Sequence, residues 1–177
     1  GVSRATFYAM FSNKEECYLA TLDWLMARLT SFVGAAWQRH RDWRPQMRAG
    51  LGAFLAALAA RPEAARVAFV ESAAAGPPAQ ERIRAAIESF VPYLDEGCRL
   101  SDRGEELPEK VSRVVVGGVA GIVFEEVLAG HAEELMRLLP ELLYTVLVPY
   151  LGHAAALEDM RGAARRLEEV ARVGGAR

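Results

Sequence analysis

The chain has 177 residues, a formal net charge of −2 and a composition in which 52% of the residues are hydrophobic. This length suits one domain, or one and a fraction, and such a chain buries about 70% of its unfolded surface. The balanced charge does not by itself indicate a nucleic-acid binder, because that class usually carries a clustered basic surface. Two isolated cysteines, Cys17 and Cys98, indicate neither a disulfide framework nor a zinc site.

The longest apolar runs lie at 114–124 and 138–151, and both are interrupted by glycine, proline, glutamate or polar residues. They are shorter than the roughly 20 residues that a membrane-spanning helix needs. We therefore expect no membrane partner. Together with the cysteine usage, this favours a cytoplasmic protein.

The first sixteen residues, GVSRATFYAMFSNKEE, carry the most specific local signals. Ser3 is placed to cap a short helix that runs to about Met10, because a hydroxyl there accepts hydrogen bonds from first-turn N–H groups. A second helix start follows, where Ser12 and Glu15 fit the capping-box pattern. Lys14 would then lie in a first turn beside unpaired backbone donors, which suits one phosphate group. From spacing alone, a plain helical corner explains these residues as well.

Apolar residues recur at helical spacing through the rest of the chain and no strand-type alternation persists, so we predict an all-α fold. A long amphipathic helix should run from Ser12 to about His40. Pro92 lies inside another apolar pattern and should kink that helix, because proline removes a hydrogen bond and crowds the preceding turn. Further helices should open at Pro45, Pro62 and Pro108, the last should end at Gly130, and two more should cover 138–151 and 157–171.

The two predicted helices within 108–153 are more apolar than a single chain obviously needs. The first contains several glycines, and each glycine in a helix costs about 1 kcal/mol relative to alanine. Close packing of another helix would account for that cost. We predict a homodimer whose four-helix interface uses Val114, Gly117, Gly118, Gly121, Leu139, Leu143, Val146, Leu147 and Tyr150.

The N-terminal string resembles the second half of the helix-turn-helix of TetR-family transcriptional regulators. That pattern is roughly Gly-Val-Ser, two variable residues, Thr, an apolar residue and Tyr, followed by Phe and a Lys-Glu-Glu helix start. Met10 departs from it, since the family usually has His or Tyr at this position. The matching residues are Gly1, Val2, Ser3, Thr6, Phe7, Tyr8, Phe11, Lys14 and Glu15.

The resemblance implies a TetR-like architecture, in which 1–13 end a helix-turn-helix domain and 14–177 form a helical effector-binding and dimerisation domain. The sequence begins inside the turn, so we expect the first helices of the DNA-binding unit to lie upstream. The implied function is transcription regulation by a repressor that a small, largely apolar or aromatic effector releases from operator DNA. The residues expected to contact DNA are Ser3, Arg4, Thr6, Tyr8 and Lys14.

The same resemblance, and not the spacing, implies a ligand pocket among the middle helices. Its expected wall consists of Trp24, Phe54, Phe69, Phe90, Tyr93, Leu94 and Phe124. Plain core packing is the alternative for each of these residues, because aromatic stripes usually fill cores.

No histidine or cysteine pattern predicts a metal site or a cofactor, and no nucleophile motif predicts an enzyme. Two other functions remain open at the level of sequence. One is a small all-α enzyme that uses an apolar cavity for catalysis, and the other is a helical interaction module without a ligand.

Overall fold

The structure, a computed structural model, describes residues 3–174 apart from the side chain of Ala5. Gly1 and Val2, which belong to the TetR-like pattern, lie outside the described residues. Regular structure in the described part of the chain is helical throughout, which confirms the all-α class. The α-helices are α1 (Arg4–Met10), α2 (Lys14–Trp37), α3 (Trp43–Ala59), α4 (Pro62–Arg66), α5 (Ser72–Ala74), α6 (Pro77–Glu88), α7 (Val91–Leu100), α8 (Val111–Leu128) and α9 (Leu139–Gly174).

Three segments of other helical types connect these elements. A π-helical turn, Val67–Glu71, joins α4 to α5, and 3₁₀ segments cover Gly104–Glu106 and Ala132–Leu138. Single π turns inside helices are rare and frequently occur at functional sites. The position of the π turn therefore matters for the site described below.

Helix α3 is central, and it packs against α2, α9 and the 3₁₀ segment Ala132–Leu138. Its apolar side chains recur about every 3.6 residues, so one face is buried along its whole length. Leu55 on this face is completely buried, and burying one leucine side chain contributes about 1.5–3 kcal/mol. The large buried side chains of this face beyond Trp43 are Met47, Leu51, Leu55 and Leu58.

The prediction of one long helix kinked at Pro92 was wrong. Helix α6 ends at Glu88 and α7 begins at Val91, with Pro92 in its first turn. A proline in a first turn removes no hydrogen bond from the helix, because the N–H that it lacks would have had no partner inside the helix. The chain therefore uses Pro92 to start a helix.

Two glycines end helical segments in a backbone conformation that other residues rarely adopt. Gly130 has φ +86° and follows α8, as predicted. Gly152 has φ 77° and ψ 172° and interrupts α9, so that the helix consists of two segments. The second segment corresponds to the helix predicted for 157–171.

The second segment of α9 is fastened to α3 through Asp159, a buried carboxylate with 5% exposure. Arg44 and Arg48 of α3 both form ion pairs with it. Arg44 also pairs with Glu158 at 2.8 Å and donates to the carbonyl of Ala155 at 3.2 Å. A buried charge is tolerated only when it is paired and hydrogen-bonded, so these contacts fix where the segment lies.

Trp43, at the start of α3, joins three helices. Its indole nitrogen donates to the carbonyl of Tyr93 on α7 at 2.7 Å, and its ring meets the ring of Tyr150 on α9 edge to face at 5.3 Å. Gly97 of α7 lies directly against the indole, and a Cβ at that position would come within 2.3 Å of a ring carbon. Glycine is required here because the indole occupies the space of a side chain.

Tyr150 lies in a small polar cluster between α7, α8 and α9. Its hydroxyl is 3.1 Å from the hydroxyl of Ser112, which is 3.8 Å from the sulfur of Cys98. The hydroxyl of Ser101 donates to the carbonyl of Tyr150. Burial raises the pKa of Tyr150 to about 12, because the loss of water disfavours the phenolate more than the Ser112 hydrogen bond favours it.

One stretch, Ala132–Val173, is long and apolar enough to cross a membrane by length and composition alone. Within its most apolar window, 39% of the residues are buried inside the protein. Gly152 interrupts the helix within this stretch. Length and composition are weak indications for a single helix, because core helices of globular proteins meet the same criteria.

Gly97→Ala should lower the free energy of unfolding by about 1–3 kcal/mol, because the rigid indole of Trp43 must move to admit the methyl group. Gly162→Ala, in α9, is the matched control: the added methyl meets only flexible arginine ends at 3.6 Å or more. It should be neutral or stabilising by up to about 1 kcal/mol. Urea unfolding of both variants measures the difference, and equal effects would contradict the packing of Trp43 on Gly97.

The free energy of unfolding should fall between about pH 10 and about pH 12. In this window the unfolded chain releases the Tyr150 proton while the folded chain retains it, at about 1.4 kcal/mol per pH unit. Tyr150→Phe should lose this slope except for the contribution of Tyr18, whose pKa is raised by burial and by Glu71. Urea unfolding across this range measures it, and an unchanged slope in Tyr150→Phe would contradict the assignment.

Candidate functional site

Helix α1 presents the residues that were expected to contact DNA. Ser3 caps it as predicted, since its hydroxyl oxygen accepts from the N–H of Thr6 at 3.1 Å. The hydroxyls of Ser3 and Thr6 are also 2.8 Å apart, so each positions the other. All five expected DNA contacts have exposed side chains: Ser3, Arg4, Thr6, Tyr8 and Lys14.

The aromatic residues of α1 pack mainly on one another. The ring of Phe7 lies 5.3 Å from that of Tyr8 and 5.7 Å from that of Phe11. Tyr8 is 64% exposed and Met10 is 67% exposed. Within residues 3–174, α1 has no extensive contact with another helix, which leaves its outer face open to a partner.

The second helix starts one residue later than the sequence predicted. Asn13, and not Ser12, is the N-cap of α2, and its side-chain oxygen accepts from the N–H of Glu16 at 2.8 Å. The Glu16 carboxylate accepts in turn from the N–H of Ser12 at 2.7 Å. Asparagine and serine are about equally good N-caps, so the pattern alone did not fix the register.

The start of α2 is less cationic than expected. The hydrogen bond from the backbone of Ser12 lowers the pKa of Glu16, which stays ionised in the first turn beside Glu15. The N–H groups of Lys14 and Glu15 have no acceptor within the helix, because the first N–H groups of any α-helix have no carbonyl one turn before them. A phosphate at this position would meet these donors and the Lys14 ammonium, but also two carboxylates.

A cavity of about 100 Å³ lies inside the helical body, where α2, α3, α6, α7 and α8 converge. Its deeper wall is buried, and its outer side is formed by half-buried residues of α2, α6 and α7. Five residues predicted for a ligand pocket line it: Phe54, Phe69, Phe90, Tyr93 and Leu94.

The other two predicted pocket residues were wrong. Trp24 is 52% exposed and stacks under the guanidinium of Arg28, 5.0 Å from the ring. It follows buried Leu22 by two positions, which places it about 200° away around the helix. Phe124 packs partly against the core next to Val123 and does not line the cavity.

The cavity wall is apolar and partly aromatic. Phe54 and Phe90 meet edge to face at 6.0 Å, and Trp37 and Tyr93 do so at 4.7 Å. Trp37 was missed by the sequence reasoning, although it continues the spacing of Met26 and Val33 on the inner face of α2. Among the described residues, no charged side chain contributes to the wall.

The size of the cavity limits what it can do in this conformation. Ligand pockets usually have about 300–1,000 Å³, and an apolar cavity of about 150 Å³ holds benzene. The cavity is partly open to solvent, so it is a cleft in the helical body and not a sealed void. It is therefore either a small binding site or a site that expands when it is filled.

The predicted dimer residues divide into two groups. On α8, Val114 is 70% exposed, and side chains added at Gly117, Gly118 or Gly121 would meet no atom within 4 Å. Exposed apolar residues continue along the same helix to Ile122. This face is therefore open, as an interface between subunits requires.

The α9 part of the predicted interface was wrong. These residues are at most 8% exposed within one chain, because α9 packs its first segment against α3, α8 and the 3₁₀ segment. Their apolar character serves the core of the subunit and leaves nothing for a partner. The residues concerned are Leu139, Leu143, Val146, Leu147 and Tyr150.

Comparison of the chain with protein-family models, with curated proteins and with solved structures found no match. In the part of the chain that the structure describes, no three side chains of His, Cys, Asp or Glu converge as a metal site would require. The functional argument therefore depends on the geometry of α1, of the cavity and of the helix that connects them.

Proposed function

We propose that this protein is a TetR-like, DNA-binding transcriptional repressor that an apolar effector releases from its operator. The observation that carries the proposal is the course of α2. This helix begins at Lys14, separated from the exposed α1 segment by three residues, and its later turns line the cavity through Met26, Leu29, Val33 and Trp37. One continuous helix thus belongs to both candidate sites.

In this proposal, α1 is the recognition helix. Tyr8 and Lys14 hold phosphate groups and fix the register, whereas Arg4 and Thr6 reach base edges in the major groove. All four side chains are exposed, which supports their access to DNA. The carboxylate of Glu16 is engaged with the backbone of Ser12, which limits its repulsion of a nearby phosphate but does not remove it.

A hydrogen bond between α2 and the π turn supports a route from the cavity to α1. The hydroxyl of Tyr18, in the second turn of α2, donates to the carbonyl of Val67 at 2.9 Å. Val67 begins the π turn, and Phe69 within that turn is 8% exposed and lines the cavity. A ligand that displaces Phe69 would therefore move the acceptor that holds the beginning of α2.

A dimer would convert that movement into release. Recognition helices of a helix-turn-helix dimer must enter major grooves about 34–36 Å apart, so a change in their spacing lowers operator affinity. The effector acts only through its difference in affinity for the two states. The open glycine-rich face of α8 supports a dimer built on this helix.

The chemistry of the cavity favours effector binding over catalysis. An active site needs an acid, a base or a nucleophile with access to the substrate. The wall supplies hydrocarbon, aromatic rings, thioethers and the polar atoms of Tyr93 and Trp37. The polar cluster around Tyr150 belongs to the seam between α7, α8 and α9, and Tyr150 is not a wall residue.

Lys14→Ala in the intact protein should weaken binding to every duplex sequence and reduce the salt slope of binding by about one unit, because one phosphate contact is lost. Lys110→Ala is the matched control, since Lys110 is exposed at the start of α8, remote from α1 in sequence. Titration of a duplex selected from a random-sequence pool, at several salt concentrations, measures both slopes. Equal slopes for wild type and Lys14→Ala would remove Lys14 from the phosphate contacts.

Gly118→Leu should dissociate or misalign the dimer, because a leucine side chain would block the close approach of a second α8. Ala171→Leu adds a leucine to the exposed surface of α9 and should leave the dimer intact. Sedimentation of the intact protein across a concentration series measures the dissociation constant. A dimer of unchanged affinity in Gly118→Leu would overturn the interface on α8.

A further inference from the structure

We infer that the cavity takes a neutral, single-ring aromatic ligand with one hydroxyl group, a phenol-like molecule. This inference rests on the proposed function, in which the cavity receives an effector, and it adds the chemical class of that effector. The charge, ring arrangement and volume of the cavity, together with the hydroxyl of Tyr93, each restrict the class of ligand.

The absence of charge from the wall excludes ionised ligands. Two ion pairs join α6 to neighbouring helices, Arg82 to Asp23 at 2.8 Å and Glu88 to Arg113 at 3.0 Å, and their side chains are partly or largely exposed. Each of these charges already has a partner. A carboxylate or an ammonium group in the cavity would lose its water without gaining a counterion.

The arrangement of the rings favours an aromatic guest over an aliphatic one. Phe54, Phe90, Tyr93 and Trp37 follow one another around the wall in edge-to-face or tilted contacts. A ligand ring between them can point its edge at the face of one side chain and its face at the edge of another. This is the geometry that aromatic pairs prefer. The thioether of Met47, buried in the same wall, can adapt to a ring and contact it through sulfur.

The volume limits the guest to one ring. The cavity has about 100 Å³, below the roughly 150 Å³ that accommodates benzene, so even one ring requires a small expansion. Helix α6 is the part of the wall that can move outward, because it is weakly buried. Ala79 is its one fully buried described residue, and Ile83 and Ile87 are half-buried over the cavity. Its exposed ion pairs contribute little to holding it in place.

Tyr93 supplies the polar contact. Its backbone is fixed by the Trp43 hydrogen bond and its ring by Trp37, so the hydroxyl has a defined position at the edge of α2, 3.9 Å from a Cβ built on Gly34. Among residues 3–174, the Tyr93 hydroxyl makes no hydrogen bond, and because no buried side-chain polar atom there is left unpaired, this hydroxyl reaches solvent at the outer side of the cavity. It is therefore available to a ligand hydroxyl, as donor or as acceptor.

Thermal unfolding of the full chain with phenol, toluene and sodium benzoate tests the inference. Phenol and toluene should raise the unfolding midpoint by roughly 5–10 °C at a hundredfold excess over Kd, because they bind only the folded state. Benzoate should not raise it. Tyr93→Phe should weaken phenol by about 2- to 10-fold and leave toluene unchanged, since only the hydroxyl contact is lost.

Filling the cavity provides the control for the location. Val119→Phe and Ala120→Leu each add volume at the wall, and either variant that folds should lose the response to both ligands. Binding of benzoate as tight as that of phenol, an unchanged phenol affinity in Tyr93→Phe, or a response that survives in both filled variants would overturn the inference. No response to phenol or toluene would also overturn it, while the DNA-binding proposal would still be decided separately by the salt slopes of Lys14→Ala.

Discussion

The indole of Trp43 fixes the corner from which the rest of the body is built. It occupies the space above Gly97, donates to the carbonyl of Tyr93 and packs on Tyr150, so that α3, α7 and α9 meet at one rigid side chain. An indole buries a large apolar area, and its single donor needs a partner once it leaves water. This arrangement meets both requirements. The position of Tyr93 at the cavity follows from it.

The cavity lies between this rigid corner and a much less constrained wall. On one side are α3, α7 and the buried residues of α8, whereas α6 on the other side is amphipathic and half-exposed. Small changes of volume on the rigid side would cost much free energy, because a close-packed interior transmits strain. Under the proposed function, filling the cavity would therefore displace α6 and the π turn that carries Phe69. The hydrogen bond from Tyr18 to Val67 would pass the second of these movements to the beginning of α2, next to α1.

Helical periodicity was enough to predict the class of the fold and the approximate course of most helices. The pocket was implied by the family resemblance, and five of its seven expected residues line the cavity. The chemistry of helix caps predicted that Ser3 caps α1. Periodicity could not tell which neighbour an apolar face meets, and for that reason Trp24 was placed inside and the first segment of α9 was assigned to a partner subunit. Both errors concern tertiary packing, which is set by residues far apart in sequence. The start of α2 was misplaced by one residue because Ser12 and Asn13 have the same local chemistry as caps.

The π turn at Val67–Glu71 also limits how the length of the chain can vary. A π turn accommodates one residue more than an α-helix needs for the same advance, so removal of one residue there would restore regular α-helical winding. The helical residues on either side would keep their phase, because a π turn absorbs its extra residue locally, and the change would fall on the angle between Val67 and Phe69 within the turn. The carbonyl of Val67 could then no longer face Tyr18 at the same time as the ring of Phe69 faces the cavity. The stretch should accept many substitutions of side chains more readily than the loss of a single residue.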